Sequence, residues 1–227
     1  MNEDFSYIRG ELFAEQISIN ELADKYGTPL YIYSHSALTR QFSSFSNAFS
    51  SVPHLVCFAM KSNSNIAILR LFSEMGGGLD IVSGGELYRA VKAGVPGEKI
   101  VFAGVGKSDE EIQYALNKEV LMFNVESEEE MFNINKVAEK NNKIARVALR
   151  VNPNVDPKTH PYISTGLKKS KFGIDIAKAR EEYARTANFN SLELSGVHCH
   201  IGSQITTTSP FADAVEKVVE LVTALRS

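Results

Sequence analysis

The sequence is short of several things, and each shortage removes a class of protein. Two cysteines, Cys57 and Cys199, both inside apolar runs, are too few for a disulfide framework and read as buried free thiols in a reducing compartment. There is no excess of basic residues. Lys and Arg number 24 against 27 Asp and Glu, a formal net charge of -3, which argues against nucleic acid or an anionic membrane as partner. No apolar stretch is long enough to cross a bilayer. The acidic start Met1-Asn2-Glu3-Asp4 lacks the apolar core of a signal peptide, so a cytoplasmic protein is expected. What is present is ordinary globular material: 227 residues, 44% hydrophobic and 22% charged, enough for one large α/β domain.

Residues 1–34 read as an entry segment and residues 35–227 as the main domain. In the entry segment, Asn20 is placed to cap a short helix over residues 21–26 that Gly27 stops, and residues 29–33 read as a short strand. Residues 34–50 have helical spacing through Leu38, Phe42, Phe45 and Phe49. From residue 55 the chain repeats a strand–helix rhythm, with strands expected at 55–61, 78–82, 99–103, 120–125, 144–152 and 192–201. Ser108-Asp109-Glu110-Glu111 is a capping box. Ser127 caps the next helix, and Glu128, Glu129 and Glu130 suit its positive N-terminus, which makes that charge run helix chemistry rather than function. Pro210 opens the last helix. Alternation of this kind predicts a parallel sheet with right-handed crossovers, and its regular spacing favours a (β/α) barrel over a doubly wound sheet. Six βα units are counted where a closed barrel has eight. Either the polypeptide is truncated or another chain completes the sheet, since an open edge is a hazard.

In barrels, chemistry collects in the loops at the C-terminal strand ends. Lys61, Asp80, Ser83, Lys107, Glu126, Arg150, Asn152, His200 and Ser203 all fall at such places. Lys61 ends the apolar run Leu55-Val56-Cys57-Phe58-Ala59-Met60, expected as a strand buried on both faces. A lysine losing hydration there becomes a nucleophilic amine. The plain alternative is a solvated loop lysine. In Gly196-Val197-His198-Cys199-His200-Ile201-Gly202-Ser203-Gln204, His198 and His200 share one strand face and Val197, Cys199 and Ile201 the other. Paired histidines of this kind fit a metal site, a cofactor contact or two satisfied core imidazoles. The Gly202-Ser203 that follows suits a phosphate. A strand-end lysine, an imidazole and a phosphate cradle make sense together for one cofactor, pyridoxal phosphate.

A set of motifs in fixed order carries a resemblance. They are Phe58-Ala59-Met60-Lys61-Ser62-Asn63, Gly78-Leu79-Asp80-Ile81-Val82-Ser83-Gly84-Gly85-Glu86-Leu87 and Arg150-Val151-Asn152-Pro153. Thr159-His160-Pro161-Tyr162-Ile163-Ser164-Thr165-Gly166 with Lys171-Phe172-Gly173, and His198-Cys199-His200-Ile201-Gly202-Ser203-Gln204, complete it. The chain resembles the fold-type III pyridoxal-phosphate decarboxylases, and residues 159–173 favour their diaminopimelate branch. The resemblance implies an alanine racemase-like (β/α) TIM-type barrel and decarboxylation of meso-diaminopimelate to L-lysine. It implies that Lys61 holds the cofactor as a Schiff base, His200 stacks on its ring, and Gly202 and Ser203 take its phosphate. Asp80 and Arg150 are implied as groups positioning the lysine and the acid at the ring nitrogen, with His198 in support. The family pattern continues with a glycine-rich phosphate loop, that acid, and a β-domain supplying a cysteine and a tyrosine across a homodimer interface. None of these follows Ser227, so the chain alone is expected to have little or no decarboxylase activity. Two other readings stand beside this one: a non-catalytic pyridoxal-phosphate-binding single-domain barrel, and a metal-dependent barrel hydrolase using His198 and His200.

Overall fold

A computed structural model describes residues 4–156, 172–186 and 188–226. The chain divides into two compact units: Met1–Val56 with Leu71–Gly77, and Cys57–Arg70 with Gly78–Ser227.

The first unit opens with an antiparallel meander of β1 (Phe5–Ile8), β2 (Glu11–Ala14) and β3 (Ile17–Ser18). Arg9 and Gly10 make the two-residue turn between β1 and β2. Both have positive φ, 54° and 87°, the conformation whose twist matches a hairpin. Two helices follow, α1 (Ile19–Tyr26) and α2 (His35–Ala48). The cap of α1 is Ser18, not Asn20. The Ser18 hydroxyl accepts from the Asn20 and Glu21 amides at 3.1 and 3.4 Å, because the helix begins two residues earlier than the sequence pattern suggested. Residues 29–33 are not a strand. They have no place in either sheet and run as irregular chain up to Ser34, the cap of α2.

The second unit carries the expected alternation. Its elements are β4 (Cys57–Ala59), the first part of α3 (Ile66–Glu74), whose residues from Leu71 on belong to the first unit, β5 (Gly78–Ile81), α4 (Gly84–Ala93), β6 (Ile100–Phe102), α5 (Asp109–Asn117) and β7 (Met122–Val125). They continue with α6 (Glu128–Lys140), β8 (Ala145–Asn152), the short β9 (Ile174–Asp175), α7 (Ala179–Thr186), β10 (Leu192–His198) and α8 (Ser209–Arg226). The strands pair in the order β4-β5-β6-β7-β8-β10, all parallel, with β9 beside β8. Strand order follows chain order without reversal, the winding of a barrel; a doubly wound sheet switches direction partway. Strands are shorter than the apolar runs implied. β4 covers only Cys57–Ala59 and is half-buried rather than buried on both faces, and β10 ends at His198, so Cys199 and His200 lie in the following loop.

Register assigns the two faces of this sheet. Leu79, Ile81, Phe102, Val125 and Leu149 share one face, each fully buried. They cluster with Leu87 of α4, Ile112 of α5 and Ile134 of α6. Burial of each such side chain stabilises by about 1.5–3 kcal/mol, so this helix-covered face is what holds the unit together. The opposite face carries Ala59, Asp80, Val101, Met122, Asn124, Ala148, Arg150, Gly196 and His198, small or polar apart from Val101 and Met122. In a sheet wound as a barrel this is the inner face, and the candidate site residues Asp80, Arg150 and His198 lie on it.

Serine caps place the helix starts. Ser83, Ser108 and Ser127 each accept from the amide three residues on, at 3.2 Å. The Ser108 box is complete: Glu111 Oε2 accepts from the Ser108 amide at 3.0 Å, and its Oε1 accepts from the Gly84 amide at 2.6 Å. Ser108→Ala is expected to lower stability by about 1 kcal/mol. The urea midpoint reads this directly, and an unshifted midpoint would mean that the hydroxyl is dispensable.

Candidate active site

The inner-face residues gather where the strands end. Arg150 lies in register beside His198 of β10, and one step past the end of β7 stands Glu126. Glu126 is buried, and its Oε1 accepts from Arg150 Nη1 at 2.5 Å. The guanidinium also lies over the Phe172 ring, 5.0 Å from its centroid. Gly173, at φ +71°, brings the chain against Arg150, since a Cβ there would stand 2.8 Å from the Arg150 carbonyl oxygen. Asp80 pairs in register with Ala59, two residues before Lys61. Burial raises the Asp80 carboxyl above its usual range, with the Lys61 charge as the strongest opposing influence. Burial pushes the imidazoles the other way. His198 falls to about 3 and His200 to about 4, with Arg150 the second cause in both. Near neutral pH both are uncharged.

Three buried polar atoms here have no hydrogen-bond partner among the described residues: Asp80 Oδ1, Glu126 Oε2 and His198 Nδ1. Buried polar atoms are nearly always satisfied, and exceptions concentrate where a ligand or water belongs. An amine, a ring nitrogen or an ordered water supplies what these atoms lack. The donor set therefore fits pyridoxal phosphate.

Lys61 is exposed. The loss of hydration expected for it is not supplied by the residues around it, because β4 ends at Ala59 and the lysine stands two residues beyond, at the rim. Lys107 is the opposite case. Its side chain is 1% exposed, and its ammonium donates to Gly104 O at 2.8 Å, Asn124 O at 2.9 Å and Glu130 Oε1 at 2.5 Å. Glu130 Oε2 in turn accepts from the Glu126 amide at 2.7 Å. The run Glu128-Glu129-Glu130 is thus more than helix chemistry. The signal available in the sequence was the spacing Ser127-x-x-Glu130 together with a lysine at the end of an adjacent strand.

The loop after β10 is anchored by Ile201, which packs with Val155 and Ala214 of α8. Gly202 has φ 152°, a conformation that favours glycine, and Ser203 is exposed beside it. The motif at residues 159–171 lies outside the described residues. Cys57 and Cys199 are free and half-buried rather than buried. Among the described residues, no three His, Cys, Asp or Glu side chains converge to hold a metal ion. A cavity of about 810 Å³ lies between the end of β8, α7 and α8, with Asn152 and Gly173 in its wall. Its basic residues Lys217 and Arg180 donate to the backbone carbonyls of Pro153, Asn154 and Ala224, which gives them structural partners.

Residues 35–227 match the family described as pyridoxal-dependent decarboxylase, pyridoxal binding domain. The chain belongs to this family. It is 52% identical over 224 residues to the diaminopimelate decarboxylase of Aquifex aeolicus, a match covering 99% of this chain and 53% of that protein. Against the diaminopimelate decarboxylase of Haemophilus influenzae it is 47% identical over 222 residues, 98% of this chain and 54% of that one. The crystal structure of diaminopimelate decarboxylase from M. jannaschii in co-complex with L-lysine superposes with a TM-score of 0.91 at 41% identity, covering 99% of this chain and 54% of that one. The chain spans about half the length of the curated relatives it matches. The family resemblance and the incomplete barrel read from the sequence both stand. No helix among the described residues is long and apolar enough to cross a membrane.

Proposed function

We propose that this chain forms the pyridoxal-phosphate-binding portion of a cytoplasmic enzyme, homodimeric when whole, that decarboxylates meso-diaminopimelate to L-lysine. The observation that carries the reading is the set of unpartnered buried atoms, Asp80 Oδ1, Glu126 Oε2 and His198 Nδ1, on the inner face at the strand ends, where Lys61 stands at the rim. The similarity to diaminopimelate decarboxylases supports the choice of substrate.

Each residue then has a task. Lys61, exposed at the rim, would hold the cofactor through its side-chain amine. Asp80 faces the Lys61 charge and steadies it. His200, uncharged near neutral pH, offers a flat face that an electron-poor ring tolerates and that an imidazolium would repel. Arg150 supplies positive charge beside His198, and Gly202 and Ser203 offer backbone and hydroxyl donors to a phosphate. Bound there, pyridoxal phosphate provides the electron sink for the pair left when the substrate carboxylate departs as carbon dioxide.

The test is direct. Adding pyridoxal phosphate should give a visible absorbance band, and borohydride reduction followed by peptide mapping should place the pyridoxyl group on Lys61. The full-length protein should release carbon dioxide and L-lysine from meso-diaminopimelate. A folded chain labelled at another lysine, or a full-length protein inert toward this substrate, would overturn the reading.

A further inference from the structure

Lys107 and Glu126 stand at strand ends among the site residues, yet the function proposed above gives neither a task. The structure links them. Lys107 pairs with Glu130, Glu130 receives the Glu126 amide, and the Glu126 carboxylate receives Arg150. The links run in one line from the loop after β6 to the end of β8, and every side chain in it is at least mostly buried, from 1% exposed at Lys107 to 12% at Glu130. A buried guanidinium held by one carboxylate oxygen, over an aromatic ring, has little freedom to swing.

We propose that Glu126 is a positioning residue acting through Arg150: its backbone amide is tied to Glu130 of the buried Lys107–Glu130 pair, and its carboxylate fixes the guanidinium beside His198 on the cofactor-facing side of the sheet. The second oxygen of Glu126 points the same way. It is buried and takes no donor from the described residues, so it is available to a water or ligand donor at the strand ends once Oε1 has engaged Arg150. Arg150 would otherwise turn toward Asp80, whose Oδ1 is also unpartnered and whose carboxyl already feels the arginine charge. The proposal rests on the functional reading above only for what lies at the strand ends.

Two measurements separate the two ideas. In the cofactor-free chain, Arg150 should give resolved guanidinium NMR signals with slow rotation and slow solvent exchange. Glu126→Gln should average them, and Glu126→Asp, which keeps the charge on a shorter arm, should restore them in part. Pyridoxal phosphate affinity, read from the visible band, should weaken about tenfold in Glu126→Gln and in Arg150→Met, with no further loss when both are combined, because residues acting as one unit are not additive. Unchanged Arg150 signals in Glu126→Gln, or losses that multiply in the double variant, would overturn the proposal. Should Glu126→Gln fail to fold, Glu126→Leu with Arg150→Met removes both charges together. That double variant must bind as weakly as Arg150→Met alone, and binding as tight as the unaltered chain would refute the role. A wild-type chain that binds no pyridoxal phosphate defeats the functional reading instead, and the Arg150 signals alone then decide this one.

Discussion

Lowering the pH from 6.5 to about 4 should cost the folded chain several kcal/mol, and the histidines at the strand ends should be the main cause. The unfolded chain takes up protons on these imidazoles near 6.5, whereas the folded chain holds them off until about 3 at His198 and about 4 at His200. Stability falls with pH wherever the unfolded state binds more protons. The contribution of neutral imidazoles is therefore complete above 6.5 and is lost as pH falls toward the folded values. For His198 the interval between 6.5 and about 3 corresponds to roughly 5 kcal/mol when fully traversed. His200 is less deeply covered, so solvent screening reduces its share. Asp80 acts with the opposite sign. Its carboxyl is raised by burial, so the folded state gains relative stability as that group protonates, and this offsets part of the loss. Urea denaturation at steps from pH 7 to 4.5 should show falling midpoints, and His198→Asn should flatten the curve. A midpoint that stays level over that range, or one that falls equally in the variant, would show that these imidazoles are not the source.

The barrel winding was legible because helix-covered strands announce themselves. Leu79, Ile81, Ile100 and Phe102 form short apolar runs, and Ser83, Ser108 and Ser127 mark the helix starts between them. The N-terminal meander was not legible. Phe5, Tyr7 and Ile8 are exposed in β1, so no buried face imposes an alternation, and the one available signal was the Arg9-Gly10 turn. Residues 29–33 erred the other way. They are β-prone, but Tyr31 and Tyr33 are exposed and no strand lies beside them, and propensity without a partner makes no sheet.

The site divides along the same line. Positions near strand ends single out Lys61, Asp80, Arg150 and His200 in the sequence; register brings Asp80 and Arg150, with His198, to one face, while Lys61 and His200 lie in the loops after β4 and β10. What the sequence withheld was which lysine is buried. Lys61 and Lys107 each follow a strand by a few residues. One is exposed, and the other is enclosed and satisfied by three acceptors. The difference comes from the partners: Gly104, Asn124 and Glu130 meet at Lys107 only after β6, β7 and α6 have assembled.

That contrast yields the largest expected loss of stability from a single substitution. Lys107→Met keeps an unbranched apolar stem but removes the ammonium, which stands 5.5 Å from the Phe102 ring centroid. Gly104 and Asn124 each lose a donor to a carbonyl oxygen, and Glu130, with its side chain 12% exposed, loses its cation. Breaking one side of a buried ion pair costs about 3–5 kcal/mol, because the remaining charge is left in a poorly solvating interior. The helix N-terminus and the Glu126 amide, 2.7 Å from Glu130 Oε2, soften this loss without abolishing it. Against a typical total of about 5–15 kcal/mol, such a loss leaves the domain marginal. Urea titration of Lys107→Met should show it, and adding Glu130→Gln should recover part of the stability by removing the stranded charge. Lys61→Ala supplies the comparison: at an exposed position it should change stability by no more than about 0.5 kcal/mol. A Lys107→Met loss below about 1 kcal/mol would mean that water reaches this pair and that the brace behind Glu126 is weaker than its burial implies.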